Sequence, residues 1–131
     1  MRRCWAEQWV LRPPRSGTRD CTCFVEEVSR LQFGRVLDLP SATCGARARD
    51  AQVKKRADDF ARPTDTPQDG DAVLMTILGA RRLQSYHIGL YVAAETPQVL
   101  HWMHNIGAAL HPLDQLDRIG LDLEGIYAWI S

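Results

Sequence analysis

No apolar run in the sequence approaches the roughly 20 residues that a membrane-spanning helix needs, so no membrane span is expected. The N-terminus, Met1-Arg2-Arg3-Cys4-Trp5-Ala6-Glu7, has two basic residues but no apolar stretch behind them, and no secretory leader is expected. Neither sign of charge is in excess: Lys+Arg and Asp+Glu are both 16. Nothing resembles the basic footprint of a nucleic-acid-binding protein, and nucleic acid is not expected as a partner. Internal repeats and low-complexity segments are lacking too. Cysteine is sparse, at Cys4, Cys21, Cys23 and Cys44. Without a leader, free thiols are the expected state. The Cys-x-Cys pair fits poorly to the Cys-x2–4-Cys spacing usual for zinc. A structural metal on these cysteines is a minor reading, and the expectation is no metal and no cofactor.

What is present suits one ordinary domain. The chain has 131 residues, enough for a single core and little more. An apolar fraction of 45% with 24% charged residues is close to that of average globular proteins. Residues 3–11 read as a short helix stopped by Pro13-Pro14, and 15–18 as a loop, so 1–17 form an N-terminal helix and loop. Asp20 is a good N-cap for a second helix, in which Cys21, Phe24, Val25, Val28 and Leu31 share one apolar face and Gly34 provides a stop. Residues 45–61 read as a third, mostly exposed helix with a thin stripe of Val53, Ala57, Phe60 and Ala61. Pro63 to Gly70 read as a loop.

The second half changes to strands. Ala72–Leu78, Tyr86–Val92, Gln98–Met103 and Leu123–Ile130 have strand character, with turns at 79–82 and 94–97. Pro112–Ile119 reads as a short helix with Leu113, Leu116 and Ile119 along one side. Helices first and an antiparallel meander second predict an α+β fold.

Cys21 falls in the first turn of the second helix, where unpaired N–H groups carry partial positive charge. That environment lowers a thiol pKa and favours the nucleophilic thiolate. Taken alone, a small buried core cysteine is the better reading. A thiolate nucleophile needs a proton acceptor, usually histidine. His87 lies in an apolar strand, where alternation puts it on one face with Gly89 and Tyr91. Gly89 leaves space for another element, and the helix start that bears Cys21 is a candidate for it. His101, in the next strand, could hydrogen-bond His87 and hold its orientation, as the third member of a triad does. Taken alone, His87 is better read as a satisfied core histidine, and His101 as a second structural histidine or one exposed near an edge. His104 and His111 read as loop residues, on the surface or at most in contact with substrate. A zinc site on His87, His101 and His104 is a minor option without a recognisable spacing.

Four segments together resemble a family. Asp20-Cys21-Thr22-Cys23-Phe24-Val25 resembles the Asp-Cys-Ser-Gly-Leu-Val motif of NlpC-type papain-like cysteine peptidases. Pro67-Gln68-Asp69-Gly70-Asp71-Ala72-Val73-Leu74 resembles their Pro-x-x-Gly-Asp-Leu-Val turn into the first strand. His87-Ile88-Gly89-Leu90-Tyr91-Val92 is similar to the strand that carries the basic histidine, and Val99-Leu100-His101 to the one with the third polar residue. The closing Glu124-Gly125-Ile126-Tyr127-Ala128-Trp129 is similar to the last strand of phage tail versions. The resemblance spans residues 18–130. The chain departs from the pattern in three ways. Thr22-Cys23 replaces Ser-Gly after the nucleophile, no tyrosine precedes Cys21 (Trp9 is the nearest aromatic), and 45–62 is a helical insertion.

The resemblance implies a papain-like NlpC-type fold, with N-terminal helices packed on a C-terminal antiparallel sheet, in one domain over 1–131. It implies acyl transfer at a peptide bond of cell-wall stems. Cys21 would attack the carbonyl, His87 would take and return the proton, and His101 would orient His87. The Cys21 backbone N–H would help hold the oxyanion, with Asp20, Thr22 and Trp9 as further candidates for oxyanion or substrate contacts. The expected protein is a phage tail-associated peptidoglycan hydrolase acting during entry, located in the virion tail. Its expected partners are other tail proteins and peptidoglycan stem peptides. The alternative is a structural tail-tip or tail-assembly protein with a vestigial or masked site.

Overall fold

Val25 and Val28 sit a turn apart on a helical face, and Phe24 beside them completes a stripe that must be buried. In a computed structural model, which describes residues 5–10, 21–37, 61–77, 86–103 and 106–129, these three residues are buried. They lie on helix α2, Cys21–Phe33. Gly34 follows at φ 66°, and its N–H bonds the Arg30 carbonyl at 3.1 Å, the left-handed stop that a Cβ would disfavour. Helix α1 is a single turn, Glu7–Val10, shorter than the helix expected over 3–11. It is tied to α2 through Gln32, whose Oε1 accepts from Gln8 Nε2 at 2.7 Å and from Trp9 Nε1 at 3.3 Å.

The remainder is a mixed architecture dominated by one antiparallel sheet. Its strands are β1 (Ala61–Pro63), β2 (Ala72–Ile77), β3 (Tyr86–Val92), β4 (Gln98–Met103), β5 (Gly107–Pro112) and β6 (Leu121–Trp129). Their spatial order is β1-β6-β2-β3-β4-β5. A meander runs from β2 to β5, and β6 returns to pair with β2. Between β5 and β6 lies a 3-10 helix, Leu113–Ile119. The segment is kinked at Gln115 (φ −122°, ψ 16°), and Leu116 is its buried residue. No described helix is long and apolar enough to cross a membrane.

Two expectations are corrected. Ala61 and Arg62 do not belong to a helix: Ala61–Pro63 is an edge strand paired with Trp129–Tyr127. An edge tolerates Pro63, which has no N–H to donate. The rest of the expected insertion, 45–60, lies outside the described residues. Residues 107–112 are a strand rather than a loop, which moves His111 from the surface into the sheet.

Strand alternation divides the sheet into two apolar faces. Ile88, Leu90, Val92, Ala72 and Leu100 pack with Phe24, Val25 and Val28 of α2, and with Ala6 and Trp9. Val73, Met75, Tyr91 and Val99 pack on the other face with Leu116 of the 3-10 helix and Leu121.

The Gly-Asp turn before β2 is held by local bonds at Asp71 and by long-range bonds at Gly70. Asp71 is buried, and its Oδ2 accepts from the Gln68 N–H at 2.9 Å. Gly70 has φ 87° and donates its N–H to the Tyr91 carbonyl at 2.9 Å, while its own carbonyl accepts from Trp129 Nε1 at 2.7 Å. A Cβ on Gly70 would stand 2.8 Å from Phe33 Cε2. Gly70→Ala is therefore expected to destabilise the fold by about 1–3 kcal/mol, from left-handed strain plus the displaced ring. Urea unfolding of the two proteins measures this, and equal midpoints would refute it.

Candidate active site

Cys21 is the first residue of α2, the position at which the unpaired N–H groups of a helix start converge. Its side chain lies outside the described set, as does that of Thr22, and Asp20 lies outside it altogether. Cys23 is half-buried on the same helix and in no disulfide. Trp9, weighed above as a substrate or oxyanion contact, is instead a core residue. It is buried, meets the Phe24 ring edge-on at 6.4 Å between centroids, and bonds Gln32.

The histidines are brought together. His87 Nε2 lies 2.8 Å from His101 Nδ1, with the rings nearly perpendicular at 82°. The sheet register explains the meeting: Gly89 pairs with His101, so His101 shares a face with the side chain two residues before Gly89. A Cβ on Gly89 would stand 2.6 Å from Val99 Cγ2, 2.8 Å from the Leu100 carbonyl oxygen and 3.0 Å from His101 Cβ. The room that Gly89 leaves is thus taken by the neighbouring strand and the base of His101, rather than by the helix start expected there.

A third ring extends the pair. His101 Nε2 lies 2.8 Å from His111 Nδ1, and the ring centroids are 5.1 Å apart. Both nitrogens of His101 are consumed, and the side chain is fully buried. Burial first, then the neighbouring His87 and His111, pull its pKa down to about 3, so the ring is neutral at pH 7. Burial also lowers the pKa of His111. His87 has its Nε2 turned to His101, so the base expected of it would have to act through Nδ1. Sequence reasoning missed His111 because β5 was not recognised. The segment gave little local signal, because Gly107, Ala108 and Ala109 have low strand propensity and it is pairing with β4 that holds it extended.

The alternation also sets how the thiol could be reached. His87, Gly89 and Tyr91 share a face, and Tyr91 packs with the 3-10 helix side of the sheet. Helix α2 packs on the opposite face. A meeting of Cys21 with His87 must therefore pass around the end of β3. The first turn of α2 lies at that end, since the Phe24 ring meets Trp102, next to His101, at 5.6 Å.

Among the described residues no group of histidine, cysteine or acidic side chains has an arrangement that could hold a metal ion. Cys4, Cys44 and His104 lie outside the described residues. Comparison with protein-family models, curated proteins and solved structures found no match.

Proposed function

We propose that the protein is a cysteine endopeptidase of the NlpC-type papain-like class, acting on peptidoglycan stem peptides as part of a phage tail. The observation that carries this reading is the His87 Nε2–His101 Nδ1 bond at 2.8 Å, on adjacent strands, with His101 fully buried. Those two positions are the ones that the resemblance assigns to the base and its orienting partner. Helix α2 begins at Cys21, where a helix start favours thiolate and offers a backbone N–H to an oxyanion. In the proposed reaction the Cys21 thiolate adds to the stem-peptide carbonyl, and His87 delivers the proton to the leaving amine. Water, deprotonated by His87, then releases the acyl group.

Digestion of purified, defined muropeptides, read by mass spectrometry, tests this with Cys21→Ser as the control. A new stem fragment that depends on Cys21 is the expected product. Its absence with folded protein would overturn activity of the isolated chain.

A second reading, a structural tail-tip or tail-assembly protein with a vestigial or masked site, draws on one observation. The histidine rings point to the face opposite the one α2 covers. The two readings separate on His87→Ala. If thiol and imidazole are coupled, this change should abolish rapid alkylation of Cys21 at neutral pH. Equal rates in both proteins would leave the structural role.

A further inference from the structure

The three histidine rings share their protons. Each N–H···N bond needs one proton and one lone pair. The contacts His87 Nε2–His101 Nδ1 and His101 Nε2–His111 Nδ1, both 2.8 Å, therefore hold two protons on the four nitrogens that face inward. A neutral imidazole carries one N–H, so three neutral rings carry three. One proton is left for the two outward nitrogens, His87 Nδ1 and His111 Nε2. A single added proton fills the other outward nitrogen. Any further proton has to go inward, where it sets N–H against N–H and breaks a bond. The count is the same whichever way the bonds run, whichever ring holds the charge and whatever else His87 meets.

Breaking a bond is costly here. His101 is fully buried, so a nitrogen stranded on it has no water to turn to. Burial, then the charges of His87 and His111, keep the middle ring neutral, so an added proton sits on an end ring. The two end rings then exclude each other. Among the described residues, the other charged groups lie outside this chain. The 3-10 helix packed on β5 carries Asp114, Asp117 and Arg118, all exposed, and α1 carries the exposed Glu7. Strand β2 carries no charged residue, and β3 adds only Tyr86 and Tyr91 as titratable neighbours of His87. Helix α2, on the other face of the sheet, brings Cys21, Cys23, Glu26, Glu27 and Arg30.

We propose that His87, His101 and His111 form one ionisable unit with room for a single added proton, so that a charge on His111 excludes the imidazolium form of His87 and the half-buried ring on β5 is a remote switch for the ring on β3. A thiolate–imidazolium pair of Cys21 and His87 would fill the unit. That consequence rests on the cysteine peptidase reading, whereas the one-proton limit does not. Whatever keeps His111 charged then leaves His87 neutral, and the thiol keeps its proton.

The test follows protonation of each ring by nitrogen-15 and carbon-13 NMR in the full chain, at about 0.15 M salt and from about pH 8 to about pH 5. Three ordinary histidines would take up about three protons over this range, whereas the folded wild type is expected to take up about one at most. Removing the end ring that holds the proton, by His87→Phe or His111→Phe, should raise the midpoint of the other end ring by about one pH unit or more. Direct repulsion between the end rings is largely screened at this salt, so the same change made in a His101→Phe background should move the midpoint far less. Both end rings charged above about pH 5 in the folded wild type would overturn the proposal without any variant. A midpoint that stays put when the other end ring is removed overturns it too, as does an equal shift in the His101→Phe background. Alkylation of Cys21 by iodoacetamide should lower the His87 midpoint if the two are paired. An unchanged midpoint with the one-proton limit intact leaves the unit standing and removes the pair, and with it the peptidase reading.

Discussion

Replacing His101 with phenylalanine is expected to slow Cys21 alkylation at neutral pH by on the order of 10²–10⁴-fold, the range that a correctly held general base contributes. The ring of phenylalanine fills the buried space but offers His87 Nε2 no partner. The imidazole would lose the bond that holds Nε2, and its tautomer would no longer be imposed from that side. An alkylation rate within a few-fold of wild type would show that His87 needs no orienting group.

The same substitution changes the response to acid. The His101 pKa is pulled down to about 3 in the folded protein, from an ordinary value of 6.5. Between these values the unfolded chain binds a proton that the folded one refuses, so stability rises with pH across that window. The contribution is fully present above pH 6.5 and is lost progressively as pH falls towards 3. Lowering pH from 7.5 to 5.5 should therefore cost about 1–2 kcal/mol from this residue. His111, also lowered by burial, adds in the same direction. In His101→Phe the slope between pH 7.5 and 5.5 should flatten. Urea unfolding at the two pH values measures it, and parallel losses in both proteins would contradict a buried neutral His101.

Gly89→Val is the second large effect. A side chain there meets Val99 Cγ2 at 2.6 Å, and it also meets the Leu100 backbone oxygen, which cannot swing aside as a flexible side chain would. The strands must part, and a loss of about 3 kcal/mol is expected. Because His101 Cβ is another neighbour, the His87–His101 bond should be disturbed as well, and Cys21 alkylation should slow. Gly125→Ala on β6 is the control: the three atoms nearest its Cβ would all belong to the Tyr127 side chain, the first at 3.3 Å, and the change should be tolerated. Similar urea midpoints for Gly89→Val and Gly125→Ala would show that β3 and β4 are not packed as described.

Much of the framework was legible because it depends on neighbours in sequence. The Phe24, Val25 and Val28 stripe of α2, its glycine stop, and the bounds of β3 and β4 follow from periodicity and turn residues, which act over a few positions, whereas Leu31, expected in the same stripe, is exposed. The α+β order followed from the same signals. The sheet placement of residues 61–63 was not legible. Pro63 argues against a strand, and only the pairing of Ala61–Pro63 with β6 makes one. Nor was β5, where small residues carry little strand propensity and pairing with β4 holds the segment extended.

The candidate site divides along the same line. The sequence by itself determined that Cys21 opens a helix, that His87 shares a strand face with Gly89, and that His101 lies in the following strand. Each of these is a consequence of local backbone geometry. Tertiary structure alone decided that the His101 ring is buried between two others, that Gly89 makes room for His101 rather than for the helix, and that His111 closes the chain. Those outcomes depend on the register between strands. A shift of one residue in that register would send the ring on the shifted strand to the opposite face, and because both faces of this sheet are apolar the hydrophobic pattern alone discriminates poorly between registers.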